Sequence, residues 1–338
     1  MIETELLIKN QTENMFRKSL LLCLFALLAT SLSAQISRLD VEVRGDWQYD
    51  SMSGEPSRMN HSGFEGKFAN FRMDGSLIEN LTYSFRYRIN KVQLSPFAAT
   101  DWATLNYKVN KWEFSAGKQV VAIGGYEYDR APIDIYFASE YWHQIACYQF
   151  GVSAAYKFGG KRDSRLLAQI CQSPYDFEAQ GLYAYNLMYM SNTSLSSVNL
   201  LEYAPNKYLG YIALGEKESF GAVTIEWDVM TRFDFENKGC SFSSMLDVNW
   251  AMNEKLNLFT HASYDINDSV IDPTVLLGTE IWRLGGGVEY FPFGKRNVRI
   301  HAVAAYTFGE AVTGAALQNG HLMFQTGLTW RVNLLGKN

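Results

Sequence analysis

GKQVVAIGGYEYDRAPIDIYFASEYWHQ, residues 117–144, interrupts a long succession of alternating, strand-like segments. It carries paired glycines (Gly124, Gly125), four tyrosines (Tyr126, Tyr128, Tyr136, Tyr141), charges of both signs and a stiffening proline, Pro132. A long aromatic and charged insertion in a β-patterned chain is expected to be an ordered, functional loop rather than a solvated link. If the strands around it close into a barrel, the loop can fold inward and set the width and charge of the opening. Tyr126, Glu127, Tyr128, Asp129, Arg130 and Asp134 are then expected at the constriction.

Alternation dominates on both sides of this loop, from Leu39 to Leu334. RLDVEVRGDWQYD sets Leu39, Val41, Val43, Trp47 and Tyr49 on one face and Asp40, Glu42, Arg44, Asp46 and Gln48 on the other. Period two with one apolar and one polar face is what a strand between two different media requires. The pattern returns in LTYSFRYRIN, in Ala146 to Phe158, in Val223 to Phe235 and in Phe242 to Met252. Short turn clusters alternate with longer loops. The count is about sixteen strands, in keeping with membrane spans of roughly 9–11 residues joined by short and long links in turn. Segments 64–74, 195–203 and 208–215 each allow two registers, so fourteen strands is the alternative.

The sequence before this pattern has another character. MFRKSLLLCLFALLATSLSAQ, from Met15 to Gln35, has a basic start, an apolar run and a small-residue exit, the layout of a secretory signal peptide. Residues 1–14 read as an upstream extension, 15–34 as the signal peptide and 36–338 as one barrel domain. Charged residues are 19% of the chain and aromatic residues 14%. The first is below the roughly 25% usual for soluble domains, and no later apolar run is long enough for a spanning helix. Together these suggest contact with lipid through strands. The net charge of −5, without a polybasic run, argues against a nucleic-acid partner.

In a membrane barrel the apolar face looks outward and every backbone group pairs around the closed wall. Aromatic residues near segment ends, such as Trp112, Tyr156, Trp250, Tyr290 and Trp330, read as interfacial girdles. The inner faces carry Arg44, Arg86, Arg88, Glu226, Asp228, Arg232, Arg283 and Arg299, the expected pore-lining wall. So many ionisable groups would not fill a dry core. A soluble lipocalin-like or sandwich protein, with the faces reversed, is the competing fold. Lys118 falls on the lipid face, where a bulge at Gly117 or a subunit contact would have to shelter it.

Arginines along a wall suit phosphate or carboxylate solutes, or else pair with lumen acids to brace the barrel. The loop itself is more acidic than basic. Glu127, Asp129 and Asp134 either fasten it to wall arginines or meet solute directly. Cys147 and Cys171 fall on neighbouring strands and allow either a disulfide or two buried thiols. The histidines show no metal-ligand spacing, and no cofactor is implied. His261 with Asp265 could be half of a hydrolytic pair, which would make the chain a barrel hydrolase. An adhesive barrel would need longer external loops.

AGKQVVAIGGYEYDRAPIDIYF, CYQFGVSAAY, LLAQICQSP, SSVNLLEY, YIALG and GGGVEYFP together resemble the porin O/P family of outer-membrane porins. The resemblance covers nearly the whole chain after the signal. It implies a sixteen-stranded, closed antiparallel transmembrane β-barrel in the outer membrane, usually a homotrimer, with its long third loop folded into the lumen. Members named for phosphate use basic residues in that loop and an arginine ladder on the wall. Here Arg86 and Arg88 match the ladder, and the loop offers only Arg130. The expected function is passive diffusion of small hydrophilic solutes or ions, with a phosphate- or anion-selective channel as the alternative.

Overall fold

A strand that meets lipid on one side and lumen on the other must bury alternate residues, and the chain does so around a full circle. The computed structural model describes residues 35–52, 61–91, 94–159, 164–176, 180–235, 239–268, 277–310 and 320–335. The upstream extension and signal peptide expected over 1–34 lie outside the described residues. The first eight strands are β1 (Gln35–Met52), β2 (His61–Ile78), β3 (Leu81–Arg88), β4 (Thr100–Val109), β5 (Trp112–Val120), β6 (Tyr148–Phe158), β7 (Ser164–Gln172) and β8 (Tyr183–Met190). The second eight are β9 (Leu195–Ala204), β10 (Lys207–Phe220), β11 (Val223–Asp234), β12 (Cys240–Asn253), β13 (Leu256–Asn267), β14 (Glu280–Tyr290), β15 (Val298–Glu310) and β16 (His321–Asn333). Each pairs antiparallel with its sequence neighbours, and β1 closes on β16 with Val41 opposite Val332. Among the described residues there are thus sixteen strands, and the fourteen-strand alternative falls.

The faces are those the alternation requires. On β1, Asp40, Glu42, Arg44 and Asp46 are buried while Tyr49 is exposed; on β11 and β12, Trp227, Leu246 and Trp250 point outward. This orientation excludes the soluble sandwich. Trp112 and Tyr156 pack side by side at the short-turn end, and Tyr264 and Trp282 at the other. These pairs belong to the two aromatic girdles of a membrane barrel. Two-residue links are held by left-handed asparagines, Asn110 between β4 and β5 and Asn206 between β9 and β10, a conformation asparagine tolerates well.

The ambiguous registers have a physical cause. On β9 and β10 the inner residues Leu201, Leu209, Tyr211 and Ala213 are as apolar as the outer Val198, Ile212 and Leu214. The inner set packs against Val121, Ile123, Tyr141 and Ile145 of the connection between β5 and β6. That connection is the third on the long-loop side, and it fills this part of the lumen with a dry core.

Lys118 needs no bulge, because the ladder runs unbroken through Gly117 to both neighbours. Its ammonium donates to the Phe97 carbonyl at 2.7 Å, and Phe97 leans on Phe150 of the outer wall. The β3–β4 loop therefore folds back over the barrel exterior and shelters the charge itself.

The disulfide alternative is corrected: Cys147 and Cys171 are free thiols. Cys171 lies opposite Gly151, so Cys147 is four residues away along β6. That is about 13 Å of extended chain, beyond the reach of an S–S bond.

Candidate functional site: the inward loop and its ion-pair belt

The loop enters the lumen at Gly124 and Gly125, whose φ of 84° and 85° lie in the left-handed region. A Cβ on Gly124 would stand 2.8 Å from the Ser197 hydroxyl. The chain then forms a short helix, Tyr126–Asp129, a 3-10 turn, Pro132–Asp134, and a second short helix, Glu140–Gln144. Wall carboxylates satisfy the free amides at both helix starts. Asp228 accepts from Tyr126 N at 2.8 Å and Glu127 N at 2.7 Å; Asp265 accepts from Glu140 N at 3.0 Å. Free N–H groups at a helix start are well matched to a carboxylate.

Glu127 ties the two loop helices together. Its carboxylate accepts from Ser139 N at 2.9 Å and from the Ser139 hydroxyl at 2.5 Å. It also lies 3.4 Å from His261 Nε2, whose Nδ1 is 3.1 Å from Asp247. Burial pushes the Glu127 carboxyl up, and His261 and Ser139 offset part of that. Arg130 reaches Glu226 at 2.5 Å and Asp247 at 3.2 Å. Burial disfavours its charge, but the two acids outweigh burial and hold the guanidinium firmly protonated. Asp129 is pushed up by burial, with Arg165 opposing. Burial also raises Tyr126, to about 12, and Tyr128.

The loop tip seats on β1, β15 and β16. Arg44 donates to the Ile135 and Ile133 carbonyls at 2.6 and 3.2 Å, and its guanidinium lies 4.5 Å above the Tyr136 ring. Asp134 binds Arg299 at 2.8 Å and Arg331 at 2.7 Å. Burial alone would raise Asp134, but these arginines outweigh it and hold the carboxyl below 3.8.

From Asp134 a belt of charges runs along the wall. Arg331 continues to Glu42 at 3.1 Å, Glu42 to Arg86 at 3.6 Å, and Arg86 and Arg88 to Asp101 at 3.4 and 2.6 Å. In the other direction Arg299 also meets Glu289 at 3.1 Å. Four arginines alternate with four carboxylates.

The expected wall residues therefore divide. Arg299 and Glu226 line a lumen cavity of about 460 Å³ on the short-turn side, and Arg88 keeps a quarter of its side chain exposed. Arg44, Asp228, Arg232 and Arg283 are buried beneath or beside the loop, and Arg86 is buried between Glu42 and Asp101. That corrects their placement as an open pore lining. Arg232 lies against the Tyr141 ring and Arg283 pairs with Glu140 at 3.3 Å. Of the six loop residues, Arg130 and Asp134 border this cavity, while Glu127 and Tyr128 are buried. Arg331, Asp101, Asp247 and Gln325 were missed as site residues, although the alternation of β16 sets Arg331 on the inner face. His261 and Asp265 join different networks, the first with Asp247 and Glu127, the second with Glu140 N and Ser243. Among the described residues, no three His, Cys, Asp or Glu side chains converge as metal ligands would.

A closed barrel with an apolar exterior, two aromatic girdles and a long loop docked inside is an outer-membrane porin, a channel for passive diffusion. The family model for phosphate-selective porin O and P matches residues 38–211, about half of the chain, and the protein belongs to that family. Solved structures agree in fold. The outer-membrane channel DcaP of Acinetobacter baumannii is similar with a TM-score of 0.65 at 11% identity, over 88% of this chain and 97% of that one. OmpT of Vibrio cholerae gives 0.60 at 12%, over 90% and 99%. Salmonella typhi OmpF, solved with daunomycin, gives 0.62 at 11%, over 89% and 98%. No curated protein matches the sequence.

Proposed function

We propose that this porin passes small hydrophilic solutes and ions of either charge with weak selectivity, rather than acting as a dedicated phosphate channel. The observation that carries this reading is the balanced belt, in which each arginine already faces a carboxylate. A guanidinium so paired has little field left for a passing anion. The wall and loop charges serve to fasten the loop, and the barrel carries no chemistry of its own. The working unit is a homotrimer, as in the trimer form of Vibrio cholerae OmpT. The chain reaches the outer membrane through a signal peptide over 15–34, and 36–338 form the barrel domain. The anion-selective alternative draws on the partly exposed Arg88 and Arg331.

Reversal potential across a planar bilayer under a potassium chloride gradient tests the reading. The wild type should lie near zero. Arg86→Ala with Arg88→Ala leaves Asp101 without its two arginines and Glu42 with Arg331 alone, and should move it towards cation preference. A strongly anion-selective wild type would replace this reading with the phosphate one.

A further inference from the structure

Loop and wall enclose a second compartment on the short-turn side, and its chemistry differs from that of the charged cavity. It measures about 430 Å³ and lies between β2 and β9, a size suited to a small organic ligand. Two of its charged rim groups have partners on the wall: Arg72 holds Asp74 at 2.9 Å and Lys108 holds Glu113 at 3.8 Å. Asp129 and Arg165 also border it, of opposite sign; apart from these charges, the groups facing the space are neutral and form two flanks.

One flank is a row of hydroxyl and amide groups from β4 and β5. Ser115 donates to Asn106 Oδ1 at 2.7 Å, and Asn106 Nδ2 donates to Thr104 Oγ1 at 3.3 Å. The row keeps capacity to spare, since Asn106 has a second amide proton and Thr104 its own hydroxyl proton. The other flank is apolar. Leu167 and Met190 pack on a small core of Ala122, Met188 and Leu195 and stay only partly buried. Apolar side chains left facing a wet lumen mark a contact surface, and methionine adapts its shape to what it meets.

We infer that this compartment binds a small uncharged amphipathic solute in transit. Its apolar face lies on Leu167 and Met190, and its hydroxyl-bearing edge hydrogen-bonds to Thr104, Asn106 and Ser115. The inference rests on the channel reading and adds a solute class to it.

Ion current through single channels tests both readings and separates them, with phenyl β-D-glucopyranoside as amphipathic probe and glucose as its hydroxyl-only counterpart. The phenyl glucoside should interrupt the current in a concentration-dependent way, several-fold more strongly than glucose. Leu167→Asn with Met190→Gln should weaken its block by about fivefold to tenfold. Thr104→Val keeps the side-chain size and should weaken it about fivefold. Asn249→Ala, in the charged cavity, should leave the block unchanged. Normal conductance with equal block by both probes, or block indifferent to all three lumen changes, would overturn the site and leave the porin intact. Absence of conductance would remove the channel reading and the site with it.

Discussion

Asp134 is the residue on which the loop tip turns. It joins the 3-10 turn to two arginines on adjacent strands, Arg299 and Arg331, and so links the two directions in which the belt runs. Its carboxyl is depressed below 3.8, so its contribution to docking is fully present above that value and is lost as pH falls through the depressed one. Asp134→Asn should loosen the tip and leave Arg299 with Glu289 alone and Arg331 with Glu42 alone, shifting reversal potential towards anions at neutral pH. The wild type should shift further towards anions on acidification below 3.8, and the variant should shift by less, since the other belt carboxylates still protonate while this one is absent. Glu127 works in the opposite sense. Its raised carboxyl favours the docked loop as pH falls through the raised value towards 4.5, so the two groups titrate on opposite sides of the ordinary carboxylate range.

The loop holds its course because each short element has a fixed anchor in the wall. Entry depends on the left-handed Gly124, close to Ser197. Gly124→Ala combines a disfavoured φ with that clash and should cost about 1–3 kcal/mol of loop docking. Noisier single-channel current and protease cleavage within 122–144, in a barrel that still resists heat in detergent, would register it. Current noise equal to wild type would show that the entry turn is not what holds the loop. Helix 140–144, through Tyr141, and the Ile145 that follows it pack on the β8–β11 side.

For the molecule as a whole, lipid decides which substitutions are tolerated. Leu214 sits mid-strand on β10 with half its surface exposed to the membrane. Leu214→Arg should destabilise the barrel by about 2–4 kcal/mol, measured as the urea midpoint of folding into lipid vesicles. An unchanged midpoint would mean that this face is covered by something other than acyl chains. The outer wall also explains the β3–β4 loop, which lays Phe97 over Lys118 and thereby keeps a charge near lipid hydrogen-bonded.

The alternation of side chains pointed to a barrel and to which faces meet lipid, while the length and composition of residues 122–144, with the family resemblance, pointed to an inward loop. That information is local, since partition between two media is settled residue by residue along a strand. Closure of the wall decided the rest. Arg44 finds the Ile135 carbonyl across 91 positions of sequence and Arg331 finds Glu42 across 289, separations over which no spacing rule operates. The loop's apolar underside likewise made β9 and β10 oily on both faces, hiding their register until the packing partner was in place. Which charges are spent on fastening and which remain for solute is a property of contacts between distant segments, and only the folded barrel brings those together.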